Sequence, residues 1–395
     1  MPELRGCVAI VTGGNSGIGY ETVLALLRKH CTVYIATHNE ASARNALVHI
    51  GRDPTAVHAR VEIMRLDLAS FRSIENFAKE FREREPKLDM LFNNAGVMYT
   101  NAYGKTVDGI ETHMGVNALG HYYLTLLLIP ALNAAYKSNM SRVPRVCFTS
   151  CASHSHATKK GFDPDDVYGT KSAGTGSRGG FIAYANSKMA NVLSAYKLQR
   201  VYGNDGITFT AVNAGKVKSH FLRHISNLST LAVNHLATPF MYSAKEGAIT
   251  QLYANTAPEI EDLGTLYFVP WARPGVPSSA ALSIEAQDAS TFLLLHTDHS
   301  GRMVRRADFA AWDSPVRLRG TTAPRRTHHA NTPFTLIVMP RGLIGHIFPG
   351  LGPAPVHIDC ISKCPTTHRA SRRSRSSSRR ARAGPLPRSP ISRDA

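Results

Sequence analysis

Tyr184 and Lys188 stand four residues apart in a segment whose apolar positions repeat at helical spacing. On a helix that spacing projects both side chains from one face, so an ammonium can sit beside a phenol. A free tyrosine titrates at about pH 10, and a neighbouring cation stabilises the phenolate and lowers that value toward working pH. A phenol tuned in this way can give a proton to a carbonyl oxygen as hydride reaches the carbon, or remove one from an alcohol in reverse. A second reactive stretch is Val146-Cys-Phe-Thr-Ser-Cys-Ala-Ser-His-Ser-His156, where an apolar strand runs into a polar loop with a hydroxyl or thiol at 149, 150, 151, 153 and 155. A third is Thr12-Gly-Gly-Asn-Ser-Gly-Ile-Gly19. Its glycines at 13, 17 and 19 allow a sharp turn and close approach to a pyrophosphate, with the next helix presenting free amides and its positive dipole end.

These residues need a scaffold, and the chain supplies one. Apolar runs predict strands over 7–11, 32–36, 61–66, 88–92, 145–150, 207–212 and 265–269, with helical periodicity between them over 18–29, 40–48, 71–81, 115–132, 182–201 and 245–255. Continuous apolar strands separated by helices imply an α/β fold: a doubly wound parallel sheet covered on both faces, the Rossmann arrangement, binding ligands at the carboxyl ends of its strands. The pattern stops near Leu295. One domain is therefore predicted over residues 1–295, and 296–395 as a disordered basic tail rich in Ser, Arg and Pro.

Of the formal charge of +18, residues 301–395 supply +14 through 18 Lys/Arg against four Asp/Glu, which leaves +4 for the first 300 residues. The basic balance thus belongs to the tail, where it suggests, weakly, a nucleic-acid or acidic partner; an unselected terminus is the plainer reading. Hydrophobic residues make up 43% of the chain, enough for a substantial core. Six scattered cysteines read as reduced thiols, and Cys360 and Cys364 lack a second Cys/His pair at zinc spacing, so no metal is expected. The first predicted strand begins close to Met1, so no signal peptide is expected. The apolar run at Leu124–Leu128, bounded by Pro130, falls far short of the roughly 20 residues of a membrane span. No transmembrane segment and a soluble, cytoplasmic protein are expected.

The spacing Gly-x3-Gly-x-Gly, together with Asp67-Leu68, Asn93-Asn-Ala-Gly96, Asn117 within Gly115-Val-Asn-Ala-Leu-Gly-His121, and Tyr184-Ala-Asn-Ser-Lys188, resembles the short-chain dehydrogenase/reductase superfamily. Gly120-His-Tyr-Tyr-Leu-Thr125 and Leu252-Tyr-Ala-Asn255 bring the likeness closer to its retinol-dehydrogenase and WW-domain-oxidoreductase-like branch, over roughly residues 5–290. The resemblance implies Tyr184 as acid/base, Lys188 as its tuner and ribose ligand, and Asn117 as holder of a proton-relay water. For the cofactor it implies contacts from Gly13, Asn15, Ser16, Gly17, Ile18, Gly19, His38, Asp67, Leu68, Asn94, Ala95, Gly96, Tyr184, Lys188, Gly215 and Val217. Asp67 either accepts from the adenine amino group or caps the following helix.

The second strand ends in Thr37-His-Asn39 without the acidic residue that would hold a ribose diol and repel a 2′-phosphate. His38 stands where relatives often carry arginine, so NADP is expected over NAD, with Arg44 a possible helper. Two positions depart from the family. Ala214 replaces the usual proline of the turn after the sixth strand, and an ungapped count puts Cys151 where the family has its catalytic serine. A one-residue adjustment would put Ser150 there instead, and Ser150 is the preferred reading because a thiol donates poorly to a carbonyl oxygen. The glycine-rich loop from Thr158 to Gly180 could be a substrate lid, and the amphipathic segment from Gly215 to about Pro239 a flap over a lipophilic substrate. The leading expectation is an NADP-dependent alcohol dehydrogenase or carbonyl reductase acting on a small hydrophobic substrate, with a homodimer as its candidate assembly. The alternatives are a cofactor-binding redox sensor or scaffold with little catalysis, and a tail-mediated nucleic-acid binder.

Overall fold

The computed structural model describes residues 1–56, 58–98, 104–157, 176–218 and 241–292. All belong to the first of two units into which the chain divides, Met1–Val338. The tail, most of the expected lid (158–175) and most of the expected flap (219–240) lie outside the described residues.

Among the described residues eight strands form one sheet: β1 (Val8–Thr12), β2 (Thr32–Thr37), β3 (Val61–Arg65), β4 (Met90–Asn93), β5 (Arg145–Ser150), β6 (Thr208–Asn213), β7 (Tyr267–Val269) and β8 (Arg273–Pro274). Their spatial order is β3-β2-β1-β4-β5-β6-β7-β8, parallel except for the final β7–β8 pair. The chain winds outward from β1 to β3, then crosses back and winds the other way from β4. The reversal opens a crevice at the carboxyl ends of β1 and β4, where ligands of doubly wound sheets bind.

Alternation along the strands divides the core between two layers. Ile10 and Tyr34, Phe148 and Phe209 face one side, packing with α3 (Phe71–Arg84), α4 (Gly120–Ser138) and α5 (Gly176–Tyr202). Ala9, Val33, Ile35 and Cys147 face the other, with α1 (Gly17–Leu27), α2 (Glu40–Ile50) and α6 (Ala244–Thr256). Burial on both faces is why these strands read as unbroken apolar runs rather than alternating ones. Helix α6 begins with a complete capping box, Ser243 and Glu246 each bonding the other's backbone N–H.

The long apolar helix differs from expectation. Met114–Leu119 forms a π-helical segment that continues into α4 through Pro130, so that Met114–Ser138 makes 25 helical residues. By length and composition this helix could cross a membrane, though most of its apolar window is buried within the fold. The short hairpin to β8 and a further helix, α7 (Ile284–Phe292), were not foreseen from the sequence either.

Candidate active site

The turn after β1 is built from residues that tolerate left-handed backbone. Gly13 and Gly17 have φ of +65° and +54°. A Cβ at Gly19 would stand 2.3 Å from the Gly13 carbonyl oxygen, and one at Gly13 would press on Ala95. Only glycine lets loop and helix close this tightly. Helix α1 starts at Gly17 with no side-chain cap from Ser16 and no acidic residue in its first turn, leaving its leading amides to an outside acceptor. Beside them a cavity of about 510 Å³ is lined by Asn15, Ser16, Gly17 and Tyr20 and by Asn39 and Ser42 of the α2 start. Asn15 Nδ2 donates to Ser42 Oγ across it at 3.0 Å. This cradle fits a dinucleotide's phosphates.

The loop after β4 is tied to the same place. Asn94 Nδ2 donates to the Thr12 carbonyl oxygen, and the amides of Asn94 and Ala95 donate to Thr12 Oγ1, each at 2.9 Å. Gly96 follows in the same loop. Gln251 of α6 reaches from behind, its Nε2 on Thr22 Oγ1 at 2.6 Å and its Oε1 accepting from Thr149 Oγ1 at 2.9 Å. One amide side chain thus joins α1 to the end of β5.

At that strand end the reactive side chains meet. Tyr184 and Lys188 lie buried on α5, with Lys188 Nζ 5.6 Å from the Tyr184 ring centre and donating to the Thr149 carbonyl oxygen at 2.9 Å. Burial, opposed by the neighbouring Cys151, brings the lysine down to about 8. The phenol moves opposite to the expected direction: burial first, then the adjoining Cys151, push it well above the tyrosine range.

Positions 150 and 151 are placed differently, and it is the neighbour of the preferred Ser150 that lies beside the phenol. Ser150, 2% exposed, donates its hydroxyl to the Lys188 carbonyl oxygen at 2.7 Å. Cys151 Sγ lies 3.5 Å from the Tyr184 hydroxyl. The pleat turns Ser150 into the α5 backbone, and Cys151, the first residue past the strand, reaches the open end. Ser153, expected to lie beyond the site, contacts the same thiol at 2.6 Å.

Asn117 sits within the π-helical segment. Its Oδ1 accepts from the Val97 amide at 2.7 Å, and its Nδ2 donates to the Val97 carbonyl oxygen and to Ser187 Oγ, both at 3.0 Å. A buried His113, its Nδ1 on the Glu111 carboxylate at 2.6 Å, packs edge-on against Tyr184.

The remaining cofactor candidates are more dispersed. His38 is exposed at the end of β2, and Arg44 is paired with Glu40 on the outer face of α2. Asp67 accepts from the Ala69 amide, while Ser70 is the residue that caps α3, so the capping alternative for Asp67 falls away. Leu68 is buried, its carbonyl oxygen against Gly120. Gly215 turns the chain at φ +84° with its amide on Asn213 Oδ1, so the turn survives Ala214. Val217 forms an isolated bridge with Tyr242 and lies, like Ile18, against Gly247. Thr12, His121, Ser187 and Gln251 join these residues with no role evident in the sequence, where their signal is a polar residue inside an otherwise apolar strand or helix.

Residues 7–155 match the short chain dehydrogenase family, and the chain belongs to the short-chain dehydrogenase/reductases, NAD(P)-dependent oxidoreductases. Within it the relatives are retinol-dehydrogenase-like. Human retinol dehydrogenase 12 is 39% identical over 266 residues, covering 67% of this chain and 78% of its own length. A short-chain dehydrogenase/reductase of Armillaria gallica is 37% identical over 275 residues, 70% of this chain and 84% of its own. Mouse polyprenol dehydrogenase is 36% identical over 269 residues, 68% and 76% respectively. Among solved structures, an uncharacterised protein from Mycobacterium paratuberculosis shares the fold at TM-score 0.55 and 28% identity, covering 73% of this chain and 92% of its own.

These relatives and the long apolar helix correct the expectation of a soluble, cytoplasmic protein. Two of the relatives are dehydrogenases named for lipid alcohols, and Met114–Ser138 has the length and composition of a membrane span that Pro130 was expected to rule out. Pro130 is accommodated inside α4 instead of ending it.

Proposed function

We propose that the chain transfers hydride between NADP(H) and the CH–OH or carbonyl group of a hydrophobic alcohol, aldehyde or ketone, with Tyr184 as acid/base. The observation that carries this reading is the Tyr184–Lys188 pair on one face of α5, with the Cys151 thiol at 3.5 Å from the phenol and the glycine cradle across the crevice. When bound, the nicotinamide supplies or accepts the hydride. Tyr184 gives the proton to the substrate oxygen, and a phenol kept protonated by burial is in the form that reduction requires. Lys188 provides positive charge beneath the ring and a hand for the ribose. Asn117 holds the Val97 loop and the relay water, and Cys151, in the place assigned to serine, polarises the carbonyl less than a hydroxyl would.

The absence of an acidic residue in Thr37-His-Asn39 and the amide and hydroxyl lining of the cavity beside Asn15 and Ser42 favour a 2′-phosphate over a bare ribose diol. A hydrophobic substrate is supported by relatives named for retinol and polyprenol. The catalytic domain is taken to span 1–295, with 296–395 a tail outside it. The test is consumption of NADPH and NADH in parallel across aliphatic, retinoid, steroid and quinone carbonyls, by wild type and Tyr184→Phe. Turnover that survives in Tyr184→Phe rejects the mechanism, and preference for NADH rejects the cofactor assignment.

A further inference from the structure

Buried polar groups run in a line from the end of β1 to the backbone of Tyr184. Thr12 Oγ1 is 2.8 Å from His121 Nε2, and His121 Nδ1 is 2.9 Å from the Asn117 carbonyl oxygen. Asn117 Nδ2 then donates to Ser187 Oγ at 3.0 Å, and Ser187 Oγ to the Tyr184 carbonyl oxygen at 2.7 Å. Thr12, Asn117, His121 and Ser187 are all fully buried. A carbonyl only accepts, so His121 Nδ1 carries a hydrogen, and with burial lowering the ring to about 3 the imidazole is neutral and its Nε2 is an acceptor. The Thr12 hydroxyl has two acceptors in reach, and His121 Nε2 at 2.8 Å is closer than the Phe92 carbonyl oxygen at 3.2 Å. The Thr12 oxygen meanwhile receives the amides of Asn94 and Ala95, the loop that closes the glycine cradle.

We propose that His121 is a positioning residue that couples the cofactor loops to the acid/base tyrosine: its ring passes the set of Thr12 to Asn117, and Asn117 passes it through Ser187 to Tyr184. No other side chain bridges Thr12 to the Asn117 carbonyl oxygen among the described residues. The line enters Asn117 at its main-chain carbonyl oxygen and leaves from its side-chain amide, so what it transmits is position, each buried bond limiting the freedom of the next group. His121 touches neither phosphate nor substrate in this scheme, so its effect falls on turnover through geometry. The inference rests on the reading of Tyr184 as acid/base.

The test is a double-mutant cycle in kcat at saturating NADPH with Thr12→Val and Ser187→Ala, repeated in a His121→Phe background, with NADPH dissociation constants measured by fluorescence. Thr12 and Ser187 share no partner, and independent sites multiply their effects. Through the chain, the double variant should lose less kcat than the product of the single losses, by about fivefold or more. In His121→Phe that excess should vanish, and His121→Gln, which keeps an acceptor and a donor, should recover part of the kcat lost in His121→Phe. Simple multiplication within about twofold in the wild-type background overturns the coupling. If His121→Phe does not fold, the wild-type cycle and His121→Gln decide alone. Tyr184→Phe assayed alongside separates the two readings: turnover lost there with a multiplicative cycle sinks only the coupling, and turnover retained sinks the mechanism beneath it.

Discussion

Lys188→Met should make the protein more stable and inactive at once. Lysine in an unfolded chain titrates at 10.5, and burial brings Lys188 to about 8. Below pH 8 the ammonium is charged in both states, and the folded state bears the whole cost of keeping it out of water. Between about 8 and 10.5 the folded lysine has released its proton while the unfolded chain still holds it, so stability rises with pH across that window. At ~1.36 kcal/mol per pH unit, the gap corresponds to a cost of about 3 kcal/mol. Methionine removes the charge and keeps much of the stem. The Thr149 carbonyl oxygen, deprived of Lys188 Nζ, still receives Asn191 Nδ2 at 3.1 Å, so little is lost in exchange. The variant is therefore expected to be about 3 kcal/mol more stable at pH 7, the advantage shrinking to nothing by pH 10.5, with turnover abolished. Urea unfolding of both proteins from pH 6.5 to 10.5 measures this, because titrating groups that do not interact with Lys188 cancel in the difference. A difference that does not change with pH, or a variant less stable at pH 7, refutes the reasoning.

Cys151→Ser should raise kcat by about tenfold or more, since a hydroxyl donor at a developing oxyanion contributes more than a thiol; steady-state assay with a responsive carbonyl checks it. Ser150→Ala should instead cost about 1 kcal/mol of stability through the lost bond to the Lys188 carbonyl oxygen, with a smaller effect on kcat, as denaturant titration and the same assay would show. Gly19→Ala, whose Cβ would meet the Gly13 carbonyl oxygen at 2.3 Å, should weaken NADPH binding at least about tenfold in a fluorescence titration. Ser243→Ala removes the capping box of α6 and should lower stability by about 1 kcal/mol at unchanged kcat.

The strand and helix order was legible because a sheet buried on both faces writes itself as apolar runs, and Tyr184 with Lys188 because four residues on a helix fix a shared face. The seat of Cys151 was not, since it depends on whether β5 ends one residue earlier or later. A slip of that size reverses which side chain faces the site. The π-helical segment around Asn117 was also hidden, for one extra residue in a turn barely disturbs the apolar period. The direction of the Tyr184 shift was misjudged for a different reason. The sequence shows a cation four residues away but not how completely the phenol is withdrawn from water, and withdrawal prevails. His121 and Asn117 are neighbours on one helix, but Thr12 meets His121 and Asn117 meets Ser187 only through tertiary structure, 109 and 70 positions apart.

The hydroxyl of Ser150 fastens β5 to α5 at the Lys188 carbonyl oxygen and takes no part in the chemistry proposed for its neighbour. On the role proposed for Cys151, anchoring and reactivity would fall to adjacent residues with separate duties. Position 151 would then be free to exchange its functional group while position 150 keeps strand and helix in register. Catalytic power would in that case be a dial set by one side chain rather than a property of the whole fold.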